Sequence, residues 1–233
     1  MLEVSGLTAG YGPATVIHGI SFSIGRGEAV AALGRNGAGK STTIKALVGM
    51  VRRAAETLRF DGTDISRMAP QRIARLGLGY VPEERRVFPE LTVAENLEVG
   101  RQAPREGAPH WPAEKLYELF PELGRMQGRR AGRMSGGEQQ MLTIARTLAG
   151  NPKLLLLDEP AEGLAPVVLE RIVETVKTLK AEGLTLLIAE QNLGFAAEIA
   201  ERCLVIENGA LAHEGAMAAF MADAELRRRY LAV

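Results

Sequence analysis

The sequence predicts an α/β fold in which helices cover a largely parallel β-sheet. Three observations lead there. From residue 153 onward, strand-like and helix-compatible runs alternate at 153–157, 166–182, 184–189, 193–202 and 204–207, the β–α order of a parallel sheet. Residues 154–157 are four consecutive leucines, which suits a central strand buried on both faces. Residues 29–33 are of β type, and a glycine-rich stretch and a helix-compatible run at 42–48 follow them.

The other elements follow in chain order. Residues 1–30 read as short alternating strands, with alternation over 16–24 and a turn at Gly25-Arg26-Gly27-Glu28. Phe60-Asp61-Gly62 reads as a strand end, 64–76 as a helix, and Gly79-Tyr80-Val81-Pro82 as a strand stopped by proline. The character changes from about residue 89 to 132, where helical patterns at 93–99 and 113–120 are split by Gly/Pro-rich linkers. Residues 102–112 hold Pro104, Gly107, Pro109 and Pro112 and read as a loop carrying His110 and Trp111. A Ser-Gly-Gly turn at 135–137 opens a helix over 138–149, with apolar Met141, Leu142, Ala145 and Leu148. No internal repeat or low-complexity tract is evident.

Three of these segments carry chemistry. Gly34-Arg35-Asn36-Gly37-Ala38-Gly39-Lys40-Ser41-Thr42 fits GxxxxGKS/T, the phosphate-binding P-loop, in the strand–loop–helix context that the motif requires. Its glycines let backbone N–H groups turn inward on phosphate oxygens. The helix opening at Gly39-Lys40 adds the positive end of its dipole. Lys40 is expected to reach the β- and γ-phosphates, and the Ser41 hydroxyl to hold Mg²⁺. A chance glycine-rich loop competes, since the chain has 26 glycines; the downstream motifs weaken that reading.

The leucine strand ends in Asp158 and Glu159, at the strand end where open α/β sheets hold ligands. Asp158 is expected to bind Mg²⁺, directly or through water, and Glu159 to orient or deprotonate an attacking water. A solvated Asp-Glu pair is common by itself and uncommon behind a P-loop. Met134-Ser135-Gly136-Gly137-Glu138-Gln139-Gln140 supplies a second nest of N–H groups and a hydroxyl at a helix N-terminus. One nucleotide does not need two such sites from one chain, so this one is expected to face the nucleotide of another subunit.

Composition bounds the partners. The 233 residues are 46% apolar, enough for one large α/β domain or a core with a subdomain. Lys+Arg and Asp+Glu are both 28, so no basic field argues for nucleic acid or anionic lipid. Cys203 is the single cysteine, which excludes an internal disulfide, and its apolar neighbours favour a buried thiol. The start Met1-Leu2-Glu3-Val4 has neither a basic nor a long apolar segment, so no secretory leader is expected. The apolar runs fall far short of a membrane span, so membrane association is expected through a partner. His18, His110 and His213 lack metal-ligand spacing, Arg227-Arg228-Arg229 reads as a solvated helix end, and Met217 and Met221 read as packing.

Here the sequence resembles a family, the ATP-binding subunits of ABC transporters, from Met1 to the C-terminus. GRNGAGKST resembles Walker A, MSGGEQQ the LSGGQ signature and LLLLDEP Walker B, in the family's order. The resemblance implies a RecA-like P-loop core in an α/β fold, with an N-terminal antiparallel β-sheet. It also implies an inserted α-helical subdomain carrying the signature (about 84–150) within a single domain spanning 1–233. Tyr11 matches the aromatic that stacks on adenine. ATP is implied at Tyr11, Gly34, Asn36, Gly37, Ala38, Gly39, Lys40, Ser41 and Thr42. The partner's ATP is implied at Ser135, Gly136, Gly137 and Glu138. Mg²⁺ is implied at Ser41, Asp158 and Glu83, and catalysis at Glu159, Lys40, Gln191 and Glu83. Two such subunits close head to tail over two ATP molecules and drive integral membrane permease subunits from the cytoplasmic face of the membrane, as peripheral components.

Three positions depart from the family pattern. The Q-loop glutamine is Glu83, the switch histidine is Gln191, and the D-loop aspartate is Ala165. Gln191 can donate a hydrogen bond to a γ-phosphate but cannot take up a proton as imidazole does. Together with Arg85-Arg86-Val87-Phe88-Pro89, Glu162-Gly163-Leu164-Ala165-Pro166 and Glu190-Gln191-Asn192, these departures resemble one subgroup, the second ATPase of branched-chain amino acid importers. That subgroup pairs with a different cassette and, indirectly, with a substrate-binding protein. It implies two unequal composite sites, with slower hydrolysis at this chain's own. A motor for urea, amides or another amino acid is the near alternative. A soluble ABC-type ATPase and a weakly hydrolysing regulatory module are the others. Arg85-Arg86 reads as contacting a membrane subunit, or as a solvated basic pair.

Overall fold

The computed structural model describes residues 1–231. The chain opens with two long strands rather than several short ones, β1 (Leu2–Tyr11) and β2 (Ala14–Ile24), joined by a tight turn and paired antiparallel. Alternate residues of β2 are buried over Ile20, Phe22 and Ile24, as a sheet with one solvated face requires. The P-loop strand β3 (Ala29–Leu33) follows and is buried along its whole length. After it comes α1 (Lys40–Leu47). Three short strands, β4 (Arg52–Ala54), β5 (Thr57–Phe60) and β6 (Thr63–Asp64), then extend the first sheet.

The helix expected over 64–76 is shorter: α2 spans Pro70–Leu76, and residue 64 closes β6. Proline is the cause. It opens a helix well at its first position and forces the residue before it out of helical geometry; Ala69 accordingly sits at φ −68°, ψ 148°.

Strand β7 (Leu78–Val81) leads into four helices, α3 (Val93–Gly100), α4 (Ala113–Leu119), α5 (Pro121–Arg125) and α6 (Gly136–Leu148). The 102–112 loop lies between α3 and α4, and its Trp111 is buried. The chain then alternates: β8 (Leu154–Asp158), α7 (Pro166–Ala181), β9 (Thr185–Glu190), α8 (Leu193–Ile199) and β10 (Arg202–Glu207). It finishes with β11 (Ala210–Ala216), α9 (Met217–Ala222) and α10 (Ala224–Leu231).

Among the described residues the second sheet runs β11-β10-β3-β9-β8-β7 and is parallel except for β11. Its order differs from chain order, so β3 and β8 lie on either side of β9 with their C-terminal ends at one edge. Both faces of the sheet are covered. Leu155 and Leu157 pack towards α6 and α7, and Leu154 and Leu156 pack with α1 and the antiparallel sheet. Full burial of each leucine stabilises the fold by about 1.5–3 kcal/mol. Cys203 lies in a third apolar cluster with Met217 and Phe220. Burial pushes its thiol up to about 11, the inert thiol its neighbours imply.

Candidate functional site

The C-terminal ends of β3, β8 and β9 gather the chemistry. The loop 34–39 turns between β3 and α1 because two glycines stand where no side chain fits. A Cβ on Gly34 would collide with the Ile206 carbonyl at the end of β10. Gly39, at φ 111°, caps α1 in a conformation that side chains avoid, and a Cβ there would lie 2.7 Å from the Ile17 methyl. Lys40 begins α1 and is buried at 3% exposure. Its Nζ donates to the carbonyls of Gly34 (2.9 Å) and Arg35 (3.2 Å) and forms an ion pair with Glu159 Oε1 at 3.0 Å. The tips of the loop, Asn36 and Gly37, are exposed. The half-exposed Tyr11 places its hydroxyl 3.5 Å from Thr42 Oγ1.

Asp158 ends β8 and is buried at 1% exposure. Burial raises its carboxyl pKa, opposed by the Ser41 and Tyr80 hydroxyls and by Lys45. Tyr80 donates to Oδ2 at 3.1 Å, whereas the buried Oδ1 has no protein partner. An orphaned carboxylate oxygen of this kind calls for a water or a cation. Among the described residues no His/Cys/Asp/Glu group forms a protein-only metal cage. Mg²⁺ takes one or two carboxylates and fills its shell with water and phosphate. Ser41 and Asp158 fit that ion. Glu83 is exposed; burial and the nearby Glu159 and Glu83 carboxylates raise the Glu162 pKa.

Glu159 has a left-handed backbone, φ 46°. Strain of this kind costs a non-glycine residue about 1–3 kcal/mol and gathers at functional sites. Its N–H donates to Ala189 O at 2.9 Å, which ties it to β9. The next carboxylate, Glu190, escaped sequence reasoning. It is buried at 2% exposure and accepts from the N–H groups of Ala161 (3.1 Å) and Asn192 (3.2 Å). It therefore staples the loop after β8 to the segment holding Gln191, itself exposed. Nothing in a strand-end Ala-Glu-Gln pattern marks this role, because the Ala161 donor lies 29 positions away in the chain.

Burial pushes Glu190 up to about 7, with Glu159 adding to the shift and the two N–H donors and Lys40 opposing it. A carboxyl raised in the folded chain contributes stability that is complete below its ordinary value of 4.5 and lost as pH rises through about 7. The unfolding free energy of the parent minus that of Glu190→Gln should therefore fall by on the order of 3 kcal/mol between pH 5 and pH 8. Urea melts of both proteins at the two pH values test this. A constant difference would mean that Glu190 titrates as an ordinary carboxyl.

The second nest is built as a helix cap. Ser135 accepts from the Glu138 N–H at 3.3 Å, and the Glu138 carboxylate accepts from the Ser135 N–H at 2.7 Å, a reciprocal capping box. Among the described residues no hydrogen bond or ion pair joins 135–138 to 34–42. The structure thus brings together Lys40, Asp158 and Glu159, with Tyr11 and Thr42 in contact at the loop's flank, and leaves the 135–138 turn apart from them.

Residues 17–162 match the ABC transporter family. The chain is 40% identical over 231 residues to the high-affinity branched-chain amino acid transport ATP-binding protein of Pseudomonas aeruginosa, covering 99% of each. It is 34% identical to the lipopolysaccharide export system ATP-binding protein of Haemophilus influenzae, covering 99% of this chain and 97% of that protein. The fold matches an ATP-binding subunit of an ABC transporter with a TM-score of 0.82 and 28% identity, covering 100% and 96% of the two chains. It also matches an ATP-binding cassette of an ABC transporter in its ADP conformation, with a TM-score of 0.81 and 27% identity over 97% and 96%. Among the described residues no helix is long and apolar enough to cross a membrane. The P-loop, the paired carboxylates, the capped second nest and these likenesses agree: the chain belongs to the ABC transporter family, as one of its ATP-binding, ATP-hydrolysing cassettes.

Proposed function

We propose that this chain is the motor subunit of an ABC importer for branched-chain amino acids. The observation that carries the catalytic part is the convergence of Lys40, Asp158 and Glu159 at adjacent strand ends. For the cargo, the support is the 40% identity over the full length to the branched-chain protein of Pseudomonas aeruginosa. The weaker likeness to lipopolysaccharide export proteins, 34% for the Haemophilus influenzae one, supports a second reading, an export motor. A urea, amide or other amino acid importer is the near variant.

In this reading Tyr11 stacks on adenine, and the 34–39 backbone with Thr42 surrounds the phosphates. Lys40 leaves Glu159 for the β- and γ-phosphates, because phosphate oxygens compete for the same ammonium. Glu159, so released, orients the attacking water and takes its proton. Ser41, Asp158 and Glu83 would hold Mg²⁺, which when bound would offset the phosphate charge. Gln191 donates a hydrogen bond towards the γ-phosphate. Residues 84–150 form the helical subdomain, and its turn at Ser135, Gly136, Gly137 and Glu138 meets the partner's ATP. The partner is a second cassette, and the pair sits beneath permease subunits at the cytoplasmic face of the membrane, served indirectly by a substrate-binding protein.

A tagged pull-down from detergent-solubilised membranes tests this. Multi-span membrane proteins with a second, different cassette are expected. Recovery only from the soluble fraction, without membrane partners, would favour a soluble ATPase. Membrane partners of an envelope export system would favour the second reading.

A further inference from the structure

Arg85 has no place in the machinery above. It lies four residues beyond β7 with a left-handed backbone, φ 44°, and a half-buried side chain. Its neighbour Arg86 is the solvated one of the pair, 3.3 Å from Glu84 at the surface. The Arg85 guanidinium turns inward and reaches two segments at once. Nη2 donates to the carbonyls of Glu162 (2.7 Å) and Gly163 (3.2 Å), in the loop directly after Asp158 and Glu159. Nη1 fills the space that a Cβ on Gly136 would need, at the first residue of α6. Against Gly136 the contact is one of packing; the hydrogen bond from α6 to that loop, Gln140 Nε2 to Pro160 O, is long at 3.5 Å. Nη2 serves two carbonyls while Nη1 stays against the glycine, a two-nitrogen reach that the single nitrogen of an ammonium lacks.

We propose that Arg85 is a positioning residue that ties the loop after the Asp158–Glu159 pair to the Ser135-Gly136-Gly137 turn of the same chain, so that the two segments move together. The functional half rests on the reading that this turn meets the partner's ATP. A shift of the loop at one nucleotide then moves the turn presented to the other nucleotide. The acceptors are backbone carbonyls, so the tie does not depend on the side chain at position 162.

Hydrogen–deuterium exchange on the full chain tests the tie, with Arg85→Ala and Arg85→Lys beside the parent. In Arg85→Ala, amides of 160–165 should exchange about tenfold faster or more, as loss of a charged hydrogen bond implies, and amides of 135–140 should also exchange faster, because the packing contact at Gly136 goes with it. Amides of β3 and α7 should be unchanged, and Arg85→Lys should lie between the two proteins. Loosening confined to 160–165 would overturn the proposal. In ATP titrations Arg85→Ala should lower kcat about tenfold with KM within about twofold, because the Lys40 site is untouched. A parent-like kcat would overturn the functional half. A parent chain without hydrolysis would count against the motor reading, and the exchange pattern would still decide the role of Arg85.

Discussion

Glu159→Gln should hydrolyse ATP at least about a hundredfold more slowly than the parent while binding it more tightly. The first effect is the loss of a carboxylate able to take the water's proton, a role worth about 10²–10⁴-fold. The second comes from the ion pair. Glu159 Oε1 lies 3.0 Å from Lys40 Nζ, and both side chains are almost fully buried, so phosphate must compete with a carboxylate for the ammonium. The amide keeps the shape and removes the competing charge. It also leaves the buried Lys40 with neutral acceptors only, the new amide oxygen and the carbonyls of Gly34 and Arg35, and no counter-charge. The variant without ATP should therefore lose stability, by less than the roughly 3–5 kcal/mol of deleting one partner outright. Phosphate release and equilibrium binding measure the two quantities. Turnover at the parent rate would remove Glu159 from the water-activating role, and weaker ATP binding would refute the competition.

Lys40→Ala should raise the Kd for ATP about a hundredfold. Charge-assisted hydrogen bonds to phosphate are lost, each worth about 1.5–3 kcal/mol. The truncation also strands the Glu159 carboxylate in a buried position, so the variant melts lower. The double variant Lys40→Ala/Glu159→Gln separates the two effects. Its melting temperature should recover, since the stranded charge is gone, while its ATP affinity should not recover. If affinity recovers as well, electrostatic repulsion by Glu159 rather than the missing ammonium limits binding in the single variant.

The parts legible in the sequence were those with local causes. The strand–loop–helix at 29–48 and the leucine strand ending in Asp158 and Glu159 each state their structure within a few residues, through glycine placement and continuous apolar character. The Ser-Gly-Gly turn that opens a helix after Met134 lies in one stretch as well. The helix expected at 64–76 begins only at Pro70, whose ring decides the boundary. Glu190, Tyr80 and Arg85 were hidden for another reason. Each acts on a group 29–78 positions away, namely the Ala161 N–H, the Asp158 carboxylate and the Glu162 and Gly163 carbonyls. Such contacts exist only once the sheet order is known.

That sheet order also governs how the chain can be made. Strand β3 has β9 and β10 as its neighbours, and roughly 150 residues separate the end of β3 from the start of β9. A ribosome adding about 5–20 residues per second leaves both edges of the P-loop strand open for on the order of ten to thirty seconds. Unpaired apolar strand edges invite association with other chains. The nascent chain is thus most in need of a chaperone between the emergence of Leu33 and that of Glu207. The ATP site, whose Asp158 and Glu159 lie in the last third of the chain, cannot assemble before that part has emerged.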